Sequence, residues 1–218
     1  MWRWRAGAIS EAADMKLFWS SRSPFVRKVM IVAHDLGIAG RIERVRKVVH
    51  PAKPNAEVMA FHPLSKIPTL ILDDGQAIYD SRVICEFLDA EFGKGTLVPA
   101  SGVARWQVFT RHSMIDAMVE TCVMWNTERS KPEGRRDDEV VQASGVRAAS
   151  GLDALERDKG FYESGLTLSH VAAASALAYL DFRFGTLGWR EGRPRLAEWF
   201  EEFSQRPSFI ETAFADVY

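Results

Sequence analysis

The position of Pro68 constrains the fold of this chain more than that of any other single residue. Pro68 stands before the apolar run Thr69-Leu70-Ile71-Leu72, which has the composition of a β-strand. Proline cannot donate to a sheet ladder, so it fits the first residue of a strand. We expect the Ile67–Pro68 bond to be cis, because the cis form costs little before proline and suits tight turns. Such a turn leaves the backbone N–H and C=O of Ile67 free to pair with an extended peptide.

A second constraint is Asp80-Ser81, which begins a helical pattern soon after that strand. Its apolar face consists of Val83, Ile84, Phe87 and Leu88. The N-terminus of a helix has unpaired N–H groups and favours anions. Together with the Ile67–Pro68 turn, this helix start predicts a seat for a short peptide that carries a carboxylate.

The order of elements predicts a thioredoxin-like α/β domain. The turn signal Asp73-Asp74-Gly75 joins the strand at 69–72 to a second one at 76–79. The earlier elements are a strand at 16–20, a helix at 24–36 and a strand at 42–49, and the segment 51–63 is a loop with a short helix. The pattern β-α-β followed by β-β-α is typical of a small mixed sheet covered by helices.

The second half of the chain is predicted to be all helical. Helices are expected near 104–129, 137–158, 169–184, 194–204 and 208–215. The 169–184 helix is apolar on nearly all sides, so we expect it at the buried centre of this half. The predicted organisation is an N-terminal extension at 1–14, a thioredoxin-like domain at 15–93, a linker at 94–103 and an all-helical domain at 104–218.

Three motifs together resemble the glutathione transferase family, with bacterial, tau-like and zeta-like features. They are Ser20-Ser21-Arg22-Ser23-Pro24-Phe25, Ile67-Pro68-Thr69-Leu70 and Asp80-Ser81-Arg82-Val83-Ile84. Their order and spacing match the family from about residue 15 to 93, and the helical remainder matches in outline. The resemblance implies a glutathione-binding first domain, with residues that we expect to contact glutathione: Ser23, Val49, His50, Lys53, Ile67, Pro68, Asp80 and Ser81.

The resemblance also implies that a serine activates the glutathione thiol. Ser23 precedes Pro24 at the start of a helix, where a hydroxyl and the helix dipole stabilise a thiolate. The plainer interpretation is an ordinary N-cap and first-turn proline. Ser21 and Ser20 are the alternative catalytic residues, because zeta-type members use an upstream serine.

The electrophile is expected to bind between the two halves, opposite Ser23. The candidate pocket residues come from the long helix at 104–129: His112, Ile115, Asp116, Val119 and Trp125. The alternative is that most of these side chains belong to the core or to the contact between the halves.

Composition excludes several other function classes. The formal net charge is −1, so no overall positive field favours nucleic acid. Two cysteines in a chain of this size form no disulfide framework, which suits a reducing cytoplasm. The histidines are scattered without metal-ligand spacing, and no apolar run is long enough to span a bilayer.

The sequence therefore predicts a cytoplasmic glutathione transferase that conjugates the glutathione thiolate to a small electrophile, as in detoxification. Glutathione is a co-substrate, no metal or other cofactor is expected, and the resemblance implies a homodimer. Two alternatives are a non-catalytic glutathione-binding or regulatory protein on the same fold and a glutathione-dependent thiol transferase or reductase. The thiol transferase needs a nucleophilic cysteine near the first helix, and none lies between Met15 and Gly37.

His170 departs from the pattern of the family. The buried helix begins with Thr167-Leu168-Ser169-His170, where the family usually has Ser/Thr-x-x-Asp. Because a carboxylate matches the dipole at a helix start, the sequence predicts that His170→Asp stabilises the protein.

Overall fold

The computed structural model describes residues 15–50 and 52–216. The predicted N-terminal extension at 1–14 lies outside these described residues.

The first half is built on a four-stranded mixed sheet with the order β2-β1-β3-β4. The strands are β1 (Met15–Trp19), β2 (Ile42–Arg46), β3 (Thr69–Ile71) and β4 (Ala77–Ile78). β1 pairs in parallel with β2 and antiparallel with β3, which pairs antiparallel with β4. β2 is an edge strand, and its exposed residues Glu43, Arg44 and Arg46 are charged, which discourages pairing with another chain.

The helices of the first half are α1 (Pro24–Asp35), α2 (Ala56–Met59) and α3 (Ser81–Phe92), and a 3₁₀ turn lies at Ala39–Arg41. α1 and α3 bury their apolar faces against one side of the sheet, because residues such as Val29, Ile84 and Leu88 recur at helical spacing. α2 covers part of the opposite side, where Val58 packs with Phe18 and Ile71. This arrangement is the thioredoxin-like fold that the sequence predicts.

The second half is all helical, as predicted. Its helices are α4 (Gly102–Arg129), α5 (Asp138–Arg157), α6 (Lys159–Glu163), α7 (Leu168–Arg183), α8 (Pro194–Ser204) and α9 (Pro207–Ile210). Residues 168–180 of α7 are all buried, as an apolar helix requires. The sequence missed the short α6, which Asp158 caps, and made α9 longer than it is.

The two halves share one continuous core. Leu168, Val171 and Ala174 of α7 pack in the same cluster as residues of α1 and the sheet. The buried Ser175 hydroxyl of α7 donates to the Pro24 carbonyl at 2.7 Å. The connection between the halves is also fixed, because the buried Asp89 carboxylate accepts N–H bonds from Thr96, Leu97 and Val98. In the described ranges, no helix combines the length and the apolar character that a membrane span requires.

His170 is held on both sides of its ring at the start of α7. Its Nδ1 accepts a hydrogen bond from the Thr167 N–H at 3.0 Å, so the ring proton must lie on Nε2. Nε2–H then donates to the Phe161 carbonyl at 2.7 Å, and the ring stacks on Phe161. A carboxylate at position 170 would match the helix dipole but cannot make this second bond, because it has no hydrogen to donate.

We predict that His170→Asp lowers the free energy of unfolding by about 1–3 kcal/mol, because the Phe161 carbonyl loses its buried donor. Burial lowers the pKa of His170. At pH values between that pKa and the ordinary histidine pKa of about 6.5, the His170 ring binds a proton in the unfolded state but not in the folded state. The stabilising contribution of His170 is therefore complete above pH of about 6.5 and declines as the pH falls below it.

Denaturant unfolding of the parent protein and of His170→Asp at pH values of about 7.5 and about 5.5 tests this prediction. The difference in unfolding free energy between the two proteins should be smaller at the lower pH. A variant more stable than the parent at both pH values would show that the dipole argument outweighs the bond to Phe161.

Candidate functional site

One end of the sheet gathers most of the predicted site residues. Phe18 of β1 lies opposite Thr69 of β3, so β1 ends where the Ile67–Pro68 turn begins. Leu70 lies opposite Ile78, so β4 leads into Asp80 at the same end. The Ile67–Pro68 bond is cis, as the sequence predicts. In the described parts of the chain, the N–H and C=O of Ile67 have no hydrogen-bond partner, as a peptide-binding edge requires.

The exit of β2 reaches the same end. The Lys47 N–H donates to the Trp19 carbonyl at 3.0 Å, which extends the pairing of β1 and β2 beyond Arg46. Val49 then packs against the cluster under α2, while His50 and Lys53 are exposed and form an isolated bridge. The Lys53 ammonium is therefore open to an anionic ligand, while the His50 Nδ1 accepts the Ala52 N–H at 3.1 Å.

Ser23 caps α1 and still has a hydrogen to donate. It closes a turn with Ser20 by an N–H to C=O bond of 3.3 Å, and its Oγ accepts the Val26 N–H at 3.3 Å. A serine hydroxyl can accept and donate at once. No acceptor for the Ser23 O–H is found among the described residues. The cap and the thiol activator, which the sequence analysis treats as competing interpretations, are therefore compatible.

The two alternative serines differ from Ser23. The Ser21 hydroxyl donates to the Ala215 carbonyl at 2.8 Å, so its hydrogen is already used. The Ser20 Oγ accepts the Arg22 N–H at 3.4 Å, within the turn itself. Of the three, Ser23 combines an available O–H with the positive end of a helix.

Asp80 and Ser81 form the start of α3. The Asp80 Oδ1 accepts the N–H groups of Arg82 and Val83 at 3.0 and 3.3 Å, which leaves Oδ2 for a cationic group. Ser81 is the first helical residue, and its backbone N–H belongs to the unpaired first turn of the helix. This helix start therefore offers an anion a donor and an ammonium group a carboxylate oxygen.

Asn55, which is not among the predicted site residues, joins two loops of the candidate site. The Asn55 side chain caps α2 and donates to the Val48 carbonyl at 3.1 Å, while its backbone N–H donates to the Ser65 hydroxyl at 2.8 Å. Ser65 has a φ of +52°, a left-handed conformation that only a few per cent of residues other than glycine adopt. A sequence signal existed, since Asn55 is a strong N-cap residue before Ala56.

Lys28, which is also absent from the predicted site residues, joins the two halves of the chain beside the site. Its side chain is buried, and its ammonium donates to both carboxylate oxygens of Asp116 at 2.7 and 2.8 Å. The same ammonium lies 3.0 Å from the His112 Nε2. Lys28 belongs to α1 and its partners to α4, so this buried cluster fixes the two helices to each other.

The protonation states in the cluster follow from burial. Burial, followed by the charges of Lys28 and Arg82, lowers the pKa of His112 to about 2, so the ring is neutral at physiological pH. Because an ammonium can only donate, Nε2 is the acceptor and Nδ1 carries the hydrogen. Burial also raises the pKa of Asp116, while the charge of Lys28 opposes that rise.

The candidate electrophile residues differ in how far they are buried. Ile115 and Val119 are 0% and 4% exposed and pack in the helical core, so their burial argues against a role in a ligand pocket. His112 is 0% exposed and faces Lys28. Asp116 keeps 21% of its side chain exposed, and the half-buried Trp125 packs on Phe184.

The described residues contain no cluster of acidic, histidine and cysteine side chains that could hold a metal ion. Both cysteines, Cys85 and Cys122, are buried, and burial raises the pKa of each thiol to about 12. Neither thiol is therefore ionised or accessible as a nucleophile.

We predict that Lys28→Met lowers the free energy of unfolding by about 3 kcal/mol, because it leaves the Asp116 carboxylate without its buried partner. The double variant Lys28→Met/Asp116→Leu should recover most of that loss, since both charges are then absent. Lys131→Met is the matched control, because its pairing with Glu128 is exposed and should matter by less than about 1 kcal/mol. Chemical denaturation measures all three, and equal losses in Lys28→Met and the control would contradict a buried, coupled pair.

Each half of the chain matches a separate domain of known proteins. Residues 22–91 match the N-terminal domain of glutathione S-transferases, and residues 138–202 match the C-terminal domain. The uncharacterized GST-like protein YibF of Escherichia coli K12 is 28% identical over 204 residues, which cover 91% of this chain and 98% of that protein.

Two solved structures of a glutathione transferase family member from Pseudomonas fluorescens Pf-5 are also similar. One contains bound glutathione and superposes with a TM-score of 0.88 at 35% identity. The other contains S-(propanoic acid)-glutathione and gives 0.84 at 34%. Each covers 93% of this chain and 100% of the chain compared. By its two domain matches and by this likeness over nearly its whole length, the chain belongs to the glutathione S-transferase family.

Proposed function

We propose that this protein is a glutathione transferase in which Ser23 activates the thiol of glutathione for attack on a small electrophile. The observation that carries the proposal is the state of the Ser23 hydroxyl. Its oxygen accepts the Val26 N–H at the start of α1, while its hydrogen remains available to a thiolate. A charge-assisted bond and the helix dipole both favour the ionised sulfur.

The proposed reaction needs no further group from the protein at the sulfur atom. The thiol loses its proton to water, and the Ser23 O–H stabilises the thiolate that remains. The sulfur lone pair then forms a bond to the electrophilic atom, whose leaving group or displaced electron pair takes the negative charge. Glutathione is consumed as a co-substrate in this scheme.

The glutathione seat is proposed at the end of the sheet beyond β1. The free backbone groups of Ile67 pair with the peptide, and the hydroxyl of Ser81 together with the first-turn N–H groups of α3 receives the γ-glutamyl carboxylate. Asp80 Oδ2 is available to the ammonium group. His50 and Lys53, which are exposed after the exit of β2, are the proposed partners of the glycine carboxylate. The glutathione bound to the Pseudomonas fluorescens protein supports glutathione as the ligand of this chain.

The finer features of the function are also proposals. S-(propanoic acid)-glutathione in the same relative supports a site that accepts a small group on sulfur, as a conjugating and detoxifying enzyme requires. A cytoplasmic location suits two buried, unpaired cysteines. A homodimer would cover the outward face of α4, where Val103 and Trp106 are 73% and 65% exposed.

The thiol transferase alternative is weakened by the buried cysteines, whose thiols are not ionised. The non-catalytic alternative retains glutathione binding but predicts no turnover. Retention on a glutathione column together with turnover of a chloro-nitro-aromatic substrate distinguishes the enzyme from the binding protein.

We predict that Ser23→Ala folds and binds glutathione, while conjugation falls about 10²–10³-fold, the scale for the loss of one preorganised donor. The pKa of the bound thiol should rise in step, which the ultraviolet absorbance of the thiolate measures. Ser130→Ala, which removes an exposed serine hydroxyl at the end of α4, is the control. Full activity in Ser23→Ala would move the assignment to Ser21 or Ser20.

We predict that Asp80→Ala and Ser81→Ala each weaken glutathione binding by about 1–3 kcal/mol, the scale of a lost hydrogen bond to a charged group. Asp74→Ala is a matched control for Asp80, because Asp74 also caps a backbone N–H, that of Gln76, but in the hairpin turn at the other end of the strands. Calorimetric titration with glutathione measures the affinities. Unchanged affinity in both site variants would place the γ-glutamyl group elsewhere.

A further inference from the structure

The turn that presents Ser23 is tied to a segment from the far end of the chain. We name Ala213–Asp216 the C-terminal strap. The Ser21 hydroxyl donates to the Ala215 carbonyl at 2.8 Å, and the Ala215 N–H donates back to the Ser21 carbonyl at 3.2 Å. Ser21 lies between Ser20 and Ser23, whose backbones close the turn. The C-terminal strap therefore fixes the middle of the turn through two hydrogen bonds between Ala215 and Ser21.

The strap is itself anchored by the packing of Phe214. The Phe214 ring stacks on Phe182 with centroids 5.0 Å apart and meets the edge of Tyr179 at 5.9 Å, both on α7. On its other side the Arg27 guanidinium lies 4.6 Å from the ring centroid. Arg27 is buried, stacks also on Phe209 at 4.0 Å and donates to the Phe209 carbonyl at 3.0 Å.

The ionic contacts of the strap are secondary. Asp216 lies 3.8 Å from Arg22 and 3.2 Å from Arg183 at the end of α7. Its side chain is 54% exposed, so these pairs add little. The two bonds at Ser21 and the packing of Phe214 connect the middle of the turn to α7 through the strap, in addition to the direct bond from Ser175 of α7 to the Pro24 carbonyl that follows the turn.

We propose that Ser21 is a positioning residue for the thiol-activating Ser23: through Ala215 it fixes the turn on the strap, and so aims the Ser23 hydroxyl at the glutathione sulfur. This inference rests on the proposed function. It assigns a role to Ser21 that differs from the direct donor considered in the sequence analysis, because the Ser21 hydrogen is already given to Ala215. Ser21 acts through Ser23 and does not touch the substrate.

The test compares Ser21→Ala, Phe214→Ala and the double variant with the parent protein, with glutathione and a chloro-nitro-aromatic substrate. Ser21→Ala should lower kcat/KM about three- to tenfold, the scale of one neutral hydrogen bond, and should raise the pKa of bound glutathione. Phe214→Ala should move both quantities in the same direction. The double variant should lose little more than the larger single effect, because both changes release the same strap.

Ser21→Thr and Ser130→Ala are the controls. Threonine at position 21 retains the hydroxyl, so the thiol pKa should equal that of the parent protein. Ser130→Ala removes a comparable bond to a helix carbonyl and should change neither kcat/KM nor the thiol pKa. Hydrogen exchange reports the tie directly, since the Ala215 amide should exchange faster in Ser21→Ala.

Each other result overturns the inference. A 10²–10³-fold loss in Ser21→Ala with no effect of Phe214→Ala would make Ser21 the thiol donor itself. An unchanged thiol pKa in both single variants, while Ser23→Ala raises it, would refute the positioning role and leave the proposed function intact. If Ser23→Ala has no effect on the thiol pKa, the proposed function fails and the role of Ser21 fails with it.

Discussion

Helix α1 packs against the sheet, α4 and α7 at once, and the rest of the structure depends on these contacts. One side of the helix buries Val29 and its neighbours in the core shared with the sheet. The other side meets α4 through the buried ammonium of Lys28 and α7 through the Pro24 carbonyl. An unpaired ammonium would be costly in this place, so α4 must bring Asp116 to it. The same contact fixes the distance between the N-terminal end of α1 and the helical half.

Much of the fold was predictable because local rules and tertiary packing agree. Pro68 at the start of a strand, Pro24 in a first turn and the apolar α7 each favour a single structure. The boundaries were less predictable where the chain has no local signal. β2 ends at Arg46, short of the predicted residue 49, because the Val48 carbonyl accepts a hydrogen bond from the Asn55 side chain at 3.1 Å and not from a neighbouring strand. The last helix was predicted at 208–215, but α9 begins at Pro207 and ends at Ile210.

The site was predictable in its first half and much less so in its second. Ser23, Ile67 and Asp80 lie at element ends, where turn and cap residues have a clear signature. Ile115 and Val119 carry no such signature, because an apolar residue on a long helix fits a core and a pocket equally well. Lys28 could not be predicted as a site residue, because a lysine in a helix is usually exposed. Only its partner on a distant helix explains its burial.

The geometry at Ser23 gives a physical reason why one residue can both stabilise the fold and activate a thiol. An N-cap serine accepts a backbone N–H, and that bond fixes the oxygen in front of the helix. Because the hydroxyl hydrogen is not used in the cap, it points toward whatever acceptor occupies that space. A thiolate in that space gains the O–H bond and the helix dipole without any reorganisation of the protein. The stability of the cap therefore maintains the preorganisation that the proposed chemistry requires, and a free serine in a mobile loop could not provide it.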